Sequence, residues 1–189
     1  MIRETAERTV KVLREAGFMF ITVFLVFPLL ATISSFIYQS VNDLLFIHVT
    51  SGLVWFLLVV GSPLYCGLLI GGIVPESVEK RFSRNIPSLT VLAFSFGLTA
   101  VVSGTFLYLQ PSASNAETGL WRIAALILAW TIFMIGLLGP NRYHIGEYFE
   151  SITEEPDPER IRSLRRRNAL IGLVEAVLIT IFVVAMNFL

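Results

Sequence analysis

The stretch LLFIHVTSGLVWFLLVVGSPLYCGLLIGGIV, residues 44–74, decides the fold class of this chain. It contains no Asp, Glu, Lys or Arg, and it exceeds the ~20 apolar residues that a helix needs to cross a hydrocarbon core of ~30 Å. A segment inside hydrocarbon has to satisfy its own backbone hydrogen bonds, and a helix does so within one segment. Residues 44–74 are therefore predicted to form a transmembrane helix.

Four other apolar blocks flank this one, at residues 18–38, 88–110, 119–139 and 169–189. Hydrophobic residues make up 55% of the 189-residue chain and charged residues 15%, a composition that argues against a soluble domain. No block shows the alternation of apolar and polar residues that is typical of outer-membrane barrel strands. We predict an all-α polytopic membrane helix bundle, a single membrane domain with five transmembrane helices.

The basic residues predict the orientation of the chain. Of the 14 Lys and Arg residues, all but Arg122 lie in three segments, 3–14, 80–84 and 142–167, which alternate with connections that carry none. The positive-inside rule places these segments in the cytoplasm, with the N-terminus inside and the C-terminus outside a multi-pass protein of the plasma membrane. The inner arginines are expected to contact anionic lipid headgroups. The formal net charge of +0 offers no net-basic face for nucleic acid.

Two polar segments complete the predicted organisation. Residues 1–15 place apolar residues at helical spacing among charges, which predicts an interfacial amphipathic helix that leads into the first span. Residues 140–168 form the cytoplasmic segment. In it, Asp157 is predicted to be the N-cap and Pro158 the first residue of a helix that continues into the last span.

Proline and glycine mark irregular points within two spans. Pro28 lies in the middle of the first span, where its missing N–H predicts a kink and a carbonyl that needs another partner. In the second span, Gly61, Pro63 and Gly67 predict a bend, a close helix contact, or both.

His48 is the first candidate for chemistry. It lies near the outer end of the second span and shares a helix face with Ser51, Gly52 and Trp55. A neutral imidazole is a suitable axial ligand for haem and a suitable ligand for copper. The alternative interpretation is a histidine that hydrogen-bonds to a neighbouring helix, with Ser51 and Gly52 allowing close packing.

Depth in the membrane decides which residues can join His48. His144 is predicted at the inner surface, ~25–30 Å from His48 at the helical rise, so the two cannot ligate one haem within one subunit. Met186 is predicted at the depth of His48, where a His/Met pair suits haem or Cu(I). Arg122 follows Trp121 at a similar depth and either snorkels to the interface or meets an anionic group such as a haem propionate.

Glu175 is the one carboxylate well inside a predicted span. An unpaired charge there costs several kcal/mol or the group stays protonated, which makes an intramembrane acid a functional candidate. The span directions place Glu175 in the inner leaflet, level with Tyr65, Cys66 and Ser95. A structural hydrogen bond to Tyr65 or Ser95 and a role as proton relay are the two interpretations.

Four motifs, taken in order, resemble the HemJ-like and CopD-like membrane families. Residues 46–56 are similar to the histidine-bearing helix of these families, and EKRF at 79–82 resembles the start of the following helix. GLWRIAALIL at 119–128 resembles a Gly-Trp helix start, and LRRRNALIGLVEAVL at 164–178 the final arginine-asparagine helix. The resemblance covers spans two to five and leaves span one as an addition.

The resemblance implies a core of four membrane helices, formed by spans two to five. HemJ-like proteins are associated with haem b and the oxidation of protoporphyrinogen, and CopD-like proteins with copper handling. His48 matches the helix histidine of both families. Ala125 stands where the HemJ-like pattern has a lysine, which argues against the same catalysis.

We therefore expect a non-catalytic membrane protein or complex subunit whose outer-leaflet pocket, bounded by His48, Trp55 and Arg122, holds haem b or copper. A homo-oligomer or a larger membrane complex is the expected assembly. The alternatives are a haem-dependent protoporphyrinogen oxidase and a proton- or solute-conducting protein that uses Glu175.

Overall fold

The computed structural model describes residues 7, 10–11, 14–70, 77–78, 81, 84–110, 119–138, 147–148, 150–152 and 157–186. Within these ranges it describes the backbone only of residues 62–63, 66, 69–70, 119–122, 137–138 and 185–186. The described residues are helical apart from short connections and include no strand. The prediction of an all-α protein is confirmed.

Five long helices account for most of the described chain. We label them α1 (Phe18–Ile37), α2 (Val41–Ile70), α3 (Ile86–Leu109), α4 (Gly119–Leu138) and α5 (Pro158–Met186). In α1, α2, α3 and α5 the described residues are long and apolar enough to cross a membrane. In α4 the stretch whose side chains the structure describes, Ile123–Gly136, is a shorter apolar helix. A membrane helix bundle is thus supported.

Helix α1 has an irregular turn next to its proline. Its first part, Phe18–Ile21, is α-helical, Thr22–Val26 is π-helical, and Phe27–Ile37 is α-helical with Pro28 in its first turn. Pro28 has no N–H to donate and its ring crowds the preceding turn, so the backbone accommodates one extra residue there. The irregularity predicted at Pro28 is present in this form.

Side chains and turn geometry set where α2 and α5 begin. Ser40 Oγ donates to Asp43 Oδ2 (2.5 Å) at the start of α2, after a tight turn in which Gln39 has φ 53. Before α5, Asp157 Oδ1 accepts the backbone N–H groups of Glu159 (3.0 Å) and Arg160 (3.3 Å). The predicted Asp157 cap is confirmed, and α5 continues from the polar segment into the apolar block.

Four of the helices are neighbours in a ring. Helix α2 packs against α3 on one side and against α5 on the other, and α4 contacts both α3 and α5. Helix α1 lies outside this ring and contacts α2 and α3. Of the apolar stretch of α3, 50% is buried, but only 6% of that of α1, so α3 is the most buried of the four helices long enough to span a membrane.

A small apolar cluster joins the ends of α3 and α5 that carry the basic segments. Ile86 of α3 and Leu164 of α5 pack with Tyr148 and Ile152 from a short helical segment between α4 and α5, with Ile161 at the edge. Glu147 of that segment forms an ion pair with Arg160 (3.0 Å), and Glu150 lies 3.8 Å from Lys11. The amphipathic segment therefore covers the helix ends and reaches the N-terminal region.

Candidate functional site

His48 and Trp55 lie two turns apart on α2, at its interface with α3. The ring of each packs against a glycine of α3. A methyl group on Gly104 would lie 2.8 Å from His48 Cε1, and one on Gly97 would lie 3.0 Å from Trp55 Cε2. Both pairs lie seven residues apart along their helices. The helices are therefore antiparallel neighbours in which large residues of α2 fit against the smallest residues of α3.

The imidazole of His48 has a defined orientation. His48 Nδ1 lies 2.8 Å from the backbone oxygen of Ala100, which can only accept, so Nδ1 carries the proton. Ser103 Oγ lies 3.5 Å from the same nitrogen and itself donates to Thr99 O (2.6 Å). In the neutral ring this tautomer leaves the lone pair on Nε2, the atom that a metal or haem iron can bind. The His48 side chain is half-buried.

Trp55 belongs to an aromatic cluster in the middle of the ring. Its indole makes an edge contact with Phe133 of α4, with ring centroids 6.3 Å apart. Phe133 also contacts Phe94 of α3 at 5.7 Å and Trp130 at 6.1 Å, and Trp130 Nε1 donates to Thr105 Oγ1 (3.1 Å). Such edge and tilted contacts are the preferred geometries of aromatic pairs. Trp55 therefore lies two turns deeper than His48, in a packed region.

Gly97 and Gly104 were missed by reasoning from the sequence, which looked for the close approach on α2. Gly52, Gly61 and Gly67 have no neighbouring atom within 4 Å of an added methyl group. The hydrogen bond of His48 to a neighbouring helix is present, but Gly104 provides the space for it. The signal in the sequence was the shared spacing of seven between the two bulky residues and the two glycines.

The structure does not test the predictions made for several residues. His144, predicted far from His48, lies outside the described residues, and the side chains of Arg122, Met186 and Cys66 are likewise outside them. The assignment of Arg122 and Met186 to the site of His48 stays a prediction. Among the described residues, no group of three or more His, Cys, Asp and Glu side chains is arranged to hold a metal ion.

Glu175 lies at the other end of the ring, where α5 meets α4. Its Oε1 is 3.7 Å from where a methyl group on Gly136 would be, and the side chain is half-buried. Ser95, which was predicted at the same depth, donates its hydroxyl to Val91 O within α3 (2.7 Å). Tyr65 lies on α2, a neighbour of α5. The structure thus places Glu175 at the contact between α4 and α5, and it turns the Ser95 hydroxyl to its own helix.

Comparison of the chain with protein-family models, with curated proteins and with solved structures gives no match. The arguments for function therefore rest on the residues and their geometry.

Proposed function

We propose that this chain is a multi-pass plasma-membrane protein with five spans, an inner N-terminus and an outer C-terminus, in which His48 ligates haem b in the outer leaflet. It acts as a non-catalytic subunit of a larger membrane complex, and its inner arginines contact anionic lipid headgroups. The apolar helices and the one-sided placement of the basic residues support the membrane part of this proposal.

The hydrogen bond from His48 Nδ1–H to Ala100 O, at 2.8 Å, is the observation that carries the ligand proposal. A histidine that ligates a metal through one ring nitrogen almost always donates the other N–H to a carbonyl or carboxylate, which fixes the tautomer and the ring orientation. The imidazole ring also packs against α3 at Gly104, which restricts its movement. His48 is therefore suited to ligation through Nε2.

Haem b suits a single histidine better than copper does. The porphyrin itself supplies the equatorial nitrogens of the iron, so one imidazole is a sufficient protein ligand. A copper ion takes its ligands from protein side chains. The resemblance of residues 46–56 to the histidine-bearing helix of HemJ-like and CopD-like proteins supports His48 as the ligand of either group. A bound haem b would supply a one-electron couple, and Arg122 and Met186 are proposed to contact a propionate and the iron.

The absorption spectrum of the detergent-solubilised protein tests this proposal. We expect a Soret band in the wild-type protein, its loss in His48→Ala, and its retention in His144→Ala, the matched variant at the other histidine of the chain. Imidazole added to His48→Ala should restore the band when the variant is folded, which separates loss of the ligand from loss of the fold.

Metal analysis of the same preparation distinguishes copper from haem. A colourless wild-type preparation that contains no copper contradicts the ligand proposal and leaves His48 as a residue of the α2–α3 interface.

A second function is favoured by the position of Glu175. A half-buried ionisable side chain at the contact of two apolar helices is a candidate for proton transfer or solute contact, because charged groups are costly in hydrocarbon and are rare in membrane helices. For this function we expect Glu175→Gln to abolish proton flux into proteoliposomes, measured with a pH-sensitive dye, while leaving the thermal unfolding midpoint unchanged. A variant that only unfolds at lower temperature, with no change in flux, identifies Glu175 as structural.

A further inference from the structure

Helix α5 has a buried side and an exposed apolar side. Leu164 and Asn168, one turn apart on the side that packs in the bundle, are 2% and 4% exposed. On the opposite side, at helical spacing of three and four, Leu170 is 64% exposed, Leu173 55% and Val177 49%. We call Leu170, Leu173 and Val177 the lipid stripe of α5, because a membrane would bring acyl chains to these side chains.

Arg162 and Arg166 continue the lipid stripe toward the basic end of α5. They are four residues apart, so their Cβ atoms lie ~6 Å from each other on one face of the helix. Leu170 follows Arg166 at the same spacing, and both arginines are exposed. The apolar block begins at residue 169, so Arg166 lies ~4.5 Å before it and Arg162 ~10 Å before it at 1.5 Å per residue. A headgroup region is ~5–7 Å deep, so both guanidinium groups reach it.

Neither arginine is neutralised by a carboxylate of the described residues. Arg160, on another face of α5, forms an ion pair with Glu147 at 3.0 Å. Among the described residues, none forms an ion pair with Arg162 or Arg166, and this includes Glu159, the acidic residue three positions before Arg162. The charges of these two arginines are therefore available to an anionic group outside the chain.

We propose that Arg162 and Arg166 bind the phosphate of one anionic phospholipid in the inner leaflet, and that its acyl chains lie along the lipid stripe. A guanidinium group donates two parallel N–H bonds to phosphate oxygens, and two such groups one turn apart approach the same phosphate from one side. The apolar positions that follow directly after the arginines match the acyl chains of such a lipid. A headgroup that carries its own cation offsets the phosphate charge, so an anionic headgroup is the better partner for two unpaired arginines.

This inference rests on the membrane orientation in the proposed function, and it narrows the general contact of inner arginines with headgroups to one site. It does not involve His48 or haem. Lipid binding and the Soret band are separate measurements on the same preparation, so failure of one proposal is distinguishable from failure of the other.

Native mass spectrometry of the detergent-purified protein tests the site, with phosphatidylglycerol as the added probe. We expect the affinity for the first bound lipid to fall about fivefold in Arg162→Gln and in Arg166→Gln, and at least about tenfold in the double variant. Phosphatidylcholine should bind more weakly than phosphatidylglycerol to the wild-type protein.

The double variant Arg160→Gln/Arg167→Gln is the matched control, because it removes the same charge from the same helix. These two residues lie seven apart on a face ~100° around α5 from the lipid stripe. We expect this variant to bind phosphatidylglycerol with the affinity of the wild-type protein. An equal loss of affinity in both double variants shows a diffuse attraction to basic residues and overturns the site.

Competition distinguishes a lipid from a free phosphate. Inorganic phosphate and glycerophosphoglycerol, the headgroup without its chains, should not displace the bound lipid, because they make no contact with the lipid stripe. Displacement by either one at the concentration of the lipid overturns the assignment to a phospholipid.

Thermal unfolding gives an independent measurement on the same variants. Both arginines are exposed, so Arg162→Gln/Arg166→Gln should unfold at the wild-type midpoint when no lipid is added. Phosphatidylglycerol should raise the midpoint of the wild-type protein and of the control variant, because a ligand that binds the folded state stabilises it. The same rise in Arg162→Gln/Arg166→Gln contradicts the proposal.

Discussion

At the scale of single residues, two glycines of α3 decide how the central helices meet. Gly104 and Gly97 lie under the rings of His48 and Trp55, and no larger side chain fits at either position without moving the ring. The imidazole cannot move freely, because its Nδ1–H is held by Ala100 O at 2.8 Å. The contact surface of α3 and the orientation of the candidate ligand are thus set by the same residue, Gly104.

Substitution of Gly104 by alanine should destabilise the protein. The added methyl group would lie 2.8 Å from His48 Cε1 and displace a ring that is hydrogen-bonded in place. We expect a loss of about 1–3 kcal/mol in the free energy of unfolding, the usual cost of overpacking a packed interface. The measurement is thermal or denaturant unfolding in detergent.

Gly52→Ala is the matched control, since nothing lies within 4 Å of a methyl group at that position of α2. There alanine should be neutral or stabilise the helix by up to about 1 kcal/mol, because it restricts the unfolded chain more than glycine does. Equal stability of the Gly104→Ala and Gly52→Ala variants contradicts the close packing described for His48.

At the scale of secondary structure elements, the helices differ in how much of their structure is explained by nearby residues and how much by contacts with neighbouring helices. Helix α5 begins at Asp157, whose carboxylate accepts two backbone N–H groups, and no tertiary contact is needed to explain that start. Helix α1 contains a π-helical turn that a nearby proline explains. Helix α3, in contrast, has no local feature that predicts its central position.

Replacement of Pro28 by alanine should convert the π-helical turn of α1 to a regular α-helix. The alanine N–H restores the missing donor, and the reason for the extra residue in Thr22–Val26 disappears. We expect slower amide hydrogen exchange in residues 22–28 and a higher unfolding midpoint, because a proline in a helix interior costs about 3 kcal/mol.

Pro158→Ala serves as the control for this experiment. Pro158 is exposed and is the first residue of α5, where a missing N–H costs nothing, so exchange and stability should stay as in the wild-type protein. Unchanged exchange over residues 22–28 in Pro28→Ala would show that contacts with α3, and not the proline, maintain the turn.

At the scale of the whole molecule, the helix bundle reverses the relation between hydropathy and burial that is usual in soluble proteins, because its most buried span is its least apolar one. Helix α3 is the most buried of the four helices long enough to span a membrane, at 50%, yet its mean hydropathy of 1.8 is the lowest of the four. Helix α1 is 6% buried, with the highest mean hydropathy, 2.3. The surroundings of the ring are apolar in a membrane, so small and hydroxyl-bearing residues gather inside, where helices approach closely.

Labelling of single cysteines tests the orientation proposed for the whole chain. In the Cys66→Ala background, Asn42→Cys, exposed at the start of α2, should react with an impermeant maleimide added outside intact cells. Ser163→Cys, exposed near the start of α5, should react only after the membrane is permeabilised. Labelling of Ser163→Cys from outside would reverse the predicted topology and the depths derived from it.

The fold class of this chain, one helix start and one helix irregularity could be predicted from its sequence. Long apolar blocks, the Asp157 cap and the irregularity at Pro28 depend on interactions within a few residues, so pattern and spacing were sufficient. The apolar block at 169–189 belongs, as predicted, to a helix that begins at Pro158, since charged residues continue a helix as readily as apolar ones do.

The neighbours of each helix were decided only in the tertiary structure. The spans are mainly apolar on both their protein-facing and their lipid-facing sides, so hydropathy alone does not identify the face that meets protein. His48 and Trp55 were visible as candidates, but the fit of their rings to Gly104 and Gly97 depends on the register between two successive long helices. The burial of the Ser95, Thr99 and Ser103 side chains was likewise decided only when the helices assembled, because burial depends on neighbouring helices.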